Sequence, residues 1–162
     1  MQASANPHQH NGGEGRQTPY GNTGAGDHGF RVDAAGMCVD PESNSDEKSF
    51  ACVIHGLGLL ALLDFSGILT AIIVFILWKV RGSESPFIDD HGRDAMNFQL
   101  TLLLYGFALF FLTIVSIGIL APVAVLGGVG MLVLRLVGSI RGMYFANKGC
   151  YYRYPMCIRF IS

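Results

Sequence analysis

The chain is poor in charge, and that shortage excludes more than any motif it contains. Asp, Glu, Lys and Arg make up 14% of the 162 residues, against roughly 25% in soluble domains. There is no basic excess: 11 Lys and Arg stand against 12 Asp and Glu, a formal net charge of -1. That balance argues against a nucleic-acid partner, which ordinarily meets a basic surface. Cysteine is scarce, and Cys38, Cys52, Cys150 and Cys157 lack metal-ligand spacing. Buried or interfacial thiols are the reading for all four, and no metal or cofactor is expected. The first residues have neither a basic stretch nor an apolar one, so no cleaved leader is read here. The first hydrophobic helix is expected to act as its own insertion signal.

What is present is long apolar sequence. From Phe98 to Leu134, 37 consecutive residues carry no Asp, Glu, Lys or Arg, and from Ser49 to Trp78 there is only Asp64. A bilayer span needs about 20 apolar residues. Only helices or closed barrels satisfy their backbone polar groups in lipid. These runs do not alternate as barrel strands would, so the expected class is all-α integral membrane. Three parts follow: a polar, disordered tail over 1–45, a helical transmembrane domain over 46–147, and an interfacial C-terminal tail over 148–162. The tail over 1–45 lacks the apolar residues to offset its ordering entropy and is expected to be dispensable for insertion. Its Gly24–Gly29 stretch matches G-x-G-x-x-G, but no strand–helix context surrounds it. His8 and His10 read as solvated.

The first helix should start near Ser45, with Asn44 and Glu47 forming a capping box and Asp46 in the first turn. Phe50 to Trp78 would be about 43 Å of helix, longer than the roughly 30 Å hydrocarbon core. The excess requires tilt, protrusion or a break, and Asp64, Ser66 and Gly67 mark where a break would fall. Trp78, Lys79 and Arg81 read as an interfacial stop. Ser85 before Pro86 reads as a helix start. The spacing of Phe87, His91, Ala95, Phe98 and Leu102 predicts a short interfacial helix running into a span near Asn97–Ile117. Gly118 to Pro122 is the turn to a further span near Val123–Ala146. The count is about three transmembrane helices, or four if the first is broken.

Charge placement predicts topology. Residues 79–96 carry Lys79, Arg81 and Arg93, and the end of the chain carries Arg141, Lys148, Arg153 and Arg159, whereas the 118–122 turn has no charge. Both basic regions are therefore expected in the cytoplasm. The N-terminus would lie outside if the first segment is one span, and in the cytoplasm if it is a broken hairpin.

Inside the membrane the polar groups are few. Asp90, Arg93, Asp94, Asn97, Thr101 and Tyr105 share one helix face, which reads as interhelical glue or as the lining of a pore. Gln99 points away from that stripe and is expected to meet a different helix. His91 and Asp94 read as solvated interfacial groups, and His55 as a hydrogen-bonded interface residue. Gly138 and Gly142 form a G-x-x-x-G packing motif, with Ala124 and Gly128 as a further small pair; intramolecular packing and homodimerisation are both open. Asp64 and Arg135 are each the only charge deep in its segment, and a lone charge at mid-bilayer costs at least about 2.5–3.5 kcal/mol. Two readings are open: a pair between them, or an Arg135 that snorkels to the interface with Asp64 protonated or exposed at a helix break.

Three stretches carry a family likeness: Trp78-Lys79; Ser85-Pro86-Phe87-Ile88-Asp89-Asp90-His91-Gly92-Arg93-Asp94-Ala95-Met96-Asn97-Phe98-Gln99; and Tyr151-Tyr152-Arg153-Tyr154-Pro155 with Ile158-Arg159-Phe160. Together they resemble a group of small bacterial membrane proteins of unknown function, itself similar to the twenty-kilodalton subunit of the chloroplast Tic translocon. The likeness covers about residues 47–162; Arg135 departs from its usual apolar run. It implies a multi-pass protein of the bacterial inner membrane, with His91, Gly92, Arg93, Asp94, Asn97, Phe98, Gln99, Tyr152, Arg153, Tyr154 and Pro155 as its marked positions.

The functional expectation is a non-enzymatic membrane scaffold or assembly subunit, tied to protein translocation by the resemblance. The alternative is a small channel or transporter for an unidentified solute. A membrane enzyme ranks third, because acid, base and nucleophile do not converge. Expected partners are membrane lipid, further copies of the chain or other membrane proteins.

Overall fold

The computed structural model describes residues 31–32, 36–63 and 66–161. Four helices dominate: α1 (Ser45–Gly56), α2 (Ile68–Arg81), α3 (Pro86–Val115) and α4 (Ala121–Asn147). A 3-10 helix over Leu57–Leu62 extends α1, and two short strands, β1 (Arg31–Val32) and β2 (Cys38–Val39), pair antiparallel before it. Helices α3 and α4 are long and apolar enough to cross a membrane.

Local chemistry sets the boundaries. Asn44 accepts from the Glu47 amide and Glu47 reaches back to the Asn44 amide, the reciprocal cap expected for α1. Ser85 caps α3, with Pro86 at its first turn. Helix α4 ends in a Schellman turn: the Cys150 amide donates to the Phe145 carbonyl and the Gly149 amide to that of Ala146. Gly149 takes φ 71° there. A side chain at that position would collide with Lys48 and Ser43, so glycine both turns the chain and admits the segment leading into α1.

The first hydrophobic segment is broken, and the break makes a hairpin. Gly67, at φ 70°, caps α2. Arg81, the last residue of α2, pairs with Asp46 in the first turn of α1 at 2.6 Å and lies over the Phe50 ring. The start of α1 and the end of α2 are therefore neighbours. The Tyr151 amide donates to the Cys38 carbonyl and the Asp40 amide to the Gly149 carbonyl. Arg153, just after α4, pairs with Asp90 near the start of α3. All four helices thus keep one terminus at a common polar end. The α3–α4 turn lies at the far end of both.

Two expectations change. Pro86–Val115 is one continuous helix, so no separate interfacial helix precedes the span; Phe87, Ile88 and His91 are fully buried, with Phe87 and His91 packed against α1 and the tail. Residues 36–44 are not part of a coreless tail either: Cys38 is buried, and Val39 bridges to Cys150. Their pairing partner lies more than a hundred residues on, beyond any local composition signal. The Gly24–Gly29 stretch, His8 and His10 lie outside the described residues.

Candidate functional site

Helix α3 is the hub, and its first four turns meet a different neighbour on each side. Gly92 faces α2, where the Trp78 indole occupies the space a side chain would need. The indole Nε1 donates to Asp89 Oδ1 at 2.8 Å, and Arg93 pairs with Asp89 one turn on. Trp78 is buried, with Lys79 Nζ 4.2 Å from its ring centroid. It is a packing residue between α2 and α3, which corrects its reading as a belt residue at the lipid boundary.

His91 faces α1. Its Nδ1 lies 2.7 Å from His55 Nε2, and His55 Nδ1 lies 2.6 Å from the Tyr154 hydroxyl. Both imidazoles are fully buried. With the Tyr154 hydroxyl donating to His55, a single proton order runs along the chain, His55 Nε2–H donating to His91. His55 is the hydrogen-bonded residue expected of it. His91 and Asp94 are not solvated as expected; the tail covers them.

That covering is the main surprise. After α4 the chain doubles back along α3 as an irregular hairpin with its turn at Pro155–Met156. Arg153 grips Asp90 with both terminal nitrogens, at 2.7 and 2.9 Å, and reaches Asp94 at 2.9 Å. Burial opposes its charge, but the two carboxylates outweigh burial and raise its pKa. Tyr151 donates to Asp40 at 2.9 Å, and burial followed by that bond pushes its phenol up. Tyr154 stacks on Phe98 at 4.0 Å, and Tyr152 on Phe145 at 5.3 Å.

Deeper along α3, the polar stripe serves the tail's backbone. Asn97 Oδ1 accepts from the Phe160 and Ile161 amides, and Nδ2 donates to the Ile161 carbonyl. Thr101 Oγ1 accepts from the Ile158 amide at 3.0 Å. Tyr105 donates to the Met156 carbonyl at 3.1 Å. Tyr105 lies seven residues past Phe98, or about 10 Å into the apolar run. Non-helical backbone at such depth is tolerated only where protein satisfies it, and these three side chains do so. The stripe is glue, as one expectation had it, but it binds the tail rather than a helix. The tail is accordingly a packed element, with Met156, Ile158, Arg159 and Phe160 left exposed.

Gln99 does meet a different element: its Nε2 lies beside Gly58 of the 3-10 helix, where Ser139 of α4 also closes in. The G-x-x-x-G pair is used within the chain, Gly142 against His55 and Gly138 against Tyr154 and Phe98, whereas Gly128 has open space beside it. Asp64 lies outside the described residues. Arg135 places its guanidinium against Gly67, 2.9 Å from where a side chain there would begin. Pro155 is exposed. No cluster of three or more His, Cys, Asp or Glu that could hold a metal occurs among the described residues.

Residues 46–161 match the family model of the magnetosome magnetite crystal formation proteins. The chain belongs to that family. The match covers the four helices and the tail, and it places the chain in a magnetosome membrane family. It shows no similarity to the Tic subunit. No curated protein matches, and neither does any solved structure. A signal for the site was present in the sequence, in the His91–Gln99 run and the Tyr152–Pro155 ending: Asp94 and Phe98 of the first meet Arg153 and Tyr154 of the second. What could not be read was that they touch each other.

Proposed function

We propose that the chain is a non-enzymatic scaffold of the magnetosome membrane, multi-pass, acting in magnetite crystal formation through a rigid polar face. The supporting observation is the use made of the marked residues. His91, Gly92, Asp94, Asn97, Phe98 and Gln99 each pack against or bond a neighbouring element, as do Tyr152, Arg153 and Tyr154, while Arg93 pairs with Asp89 within α3. Such a set builds a fixed platform rather than a mobile catalytic centre. The stripe that suggested a pore is filled by tail backbone, which removes the main support for a channel. A translocation role draws no support from the family match.

The test is genetic and biochemical together. In a magnetite-forming cell, removing the chain changes crystal size or number, and the Asn97→Ala variant, which loosens the tail, restores them less well than the wild type. Vesicles holding the purified chain pass iron(II) and protons no faster than protein-free vesicles. Rapid flux in the vesicles, or crystals unaffected by removal, overturns the reading.

A further inference from the structure

A groove of about 430 Å³ opens on the outer side of α3 and α4, lined by Tyr105, Gly130, Met131, Leu134, Val137 and Met156. It runs from Gly127 to Val137, about 15 Å along α4. Its walls are almost wholly apolar, and the α4 residues beside it belong to the hydrocarbon-crossing part of that helix. The face does not stay apolar. Four residues past Val137, on the same ridge of the helix, stands Arg141; Tyr144 and Lys148 continue the row toward the polar end. All three are exposed. No carboxylate pairs with Arg141 among the described residues. Lys148 Nζ lies 4.5 Å from the Tyr144 ring centroid.

An apolar slot at hydrocarbon depth, continued at headgroup level by an arginine, a tyrosine and a lysine, has the polarity profile of one amphiphile. We propose that this face binds an anionic phospholipid, with an acyl chain in the groove and the phosphate on Arg141. Arginine suits phosphate because its planar donors match the phosphate oxygens. Tyrosine suits the boundary between the two zones. Gly130 leaves room for the chain: a side chain there would meet nothing within 4 Å. The inference goes beyond the scaffold reading and does not depend on it.

The structure also supplies the probes. Gly130→Leu puts a side chain into the groove from a position where the first carbon meets nothing within 4 Å, and leucine favours helix over glycine. Gly128→Leu is its control, since Gly128 also has open space but does not line the groove. Val137→Trp fills the groove from its other end, so a folding defect in one variant leaves the test intact. The detergent-purified chain is given an equal mixture of phosphatidylglycerol and phosphatidylcholine, and retained lipid is read by native mass spectrometry. The wild type and Gly128→Leu retain phosphatidylglycerol in preference to phosphatidylcholine. Gly130→Leu and Val137→Trp lose the retained lipid. Arg141→Gln loses about tenfold in affinity for phosphatidylglycerol and little for phosphatidylcholine. Equal retention by the groove-filling variants and the control overturns the proposal, as does retention without preference. A lipid-free dimer that Gly130→Leu converts to monomer would assign the groove to a second copy instead.

Discussion

The Trp78 indole stands in the space that a side chain at Gly92 would occupy. This relationship joins α2 to α3 beside the buried cluster of Ala71, Val74, Ala95 and Met96, and the indole is fixed by its bond to Asp89. Gly92→Ala therefore forces the ring, and with it the Asp89–Arg93 pair, to move. Overpacking of this kind destabilises by about 1–3 kcal/mol. Thermal unfolding in mild detergent should show a lower midpoint for Gly92→Ala, although alanine is the better helix former. An unchanged or raised midpoint would mean that the contact is looser than the geometry implies.

Tyr152 and Tyr154 are two residues apart and both buried, yet their hydroxyls differ. That of Tyr154 bonds His55, while that of Tyr152 has no partner among the described residues. Tyr154→Phe strands a buried imidazole nitrogen and should destabilise by about 1–2 kcal/mol. Tyr152→Phe removes an unsatisfied hydroxyl and should be neutral or stabilising. The pair of midpoints checks the network directly: equal losses for the two variants would contradict it.

Local signals were legible and distant ones were not. The Asn44–Glu47 cap, the Ser85–Pro86 start and the 118–122 turn depend on residues within a few positions of each other, so their chemistry shows in the sequence. The stripe of Asn97, Thr101 and Tyr105 was equally visible from helical periodicity. Its partner was not, because residues 156–161 bond through backbone groups and backbone leaves no sequence pattern. Trp78 was misread for a related reason: an aromatic beside lysine and arginine looks alike whether the ring meets lipid or a glycine on the next helix. His55 and His91 stand 36 residues apart, and no spacing rule joins them.

The α3–α4 turn holds a strained residue. Ile117 adopts φ 54° at the position where the helix-ending motif favours glycine, and its side chain is 91% exposed. A β-branched residue in the left-handed region costs roughly 1–2 kcal/mol. Ile117→Gly should therefore raise the unfolding midpoint, less the small entropic penalty of glycine. A fall in the midpoint would show that the exposed isoleucine makes contacts worth more than the strain.

Asn97 holds three backbone groups of the tail. Asn97→Ala leaves them at membrane depth without partners, so the tail should detach before the helices unfold. Hydrogen exchange at the Ile158, Phe160 and Ile161 amides should accelerate by at least about tenfold, the equivalent of roughly 1.4 kcal/mol, while the α4 core exchanges as in the wild type. Uniform acceleration through α4 would instead make the tail inseparable from the helix bundle.

The hairpin formed by α1 and α2 favours one of the two topologies that charge alone left open. Because Asp46 meets Arg81 and Cys38 meets Tyr151, the segment before α1 lies at the same end as the loop before α3 and the end of the chain. Lysine and arginine concentrate at that end, and the opposite turn has none, so the polar end should face the cytoplasm. A single span through Phe50–Trp78 would put the segment before α1 and the end of the chain on opposite sides; the hairpin puts that segment and residues 149–151 together. Reporters fused before Met1 and after Ser162 should then both be active only when cytoplasmic, and cysteine probes at the 116–120 turn should label only from the other side. Opposite reporter activities at the two termini would require α1 and α2 to separate, breaking the Asp46–Arg81 contact on which the hairpin rests.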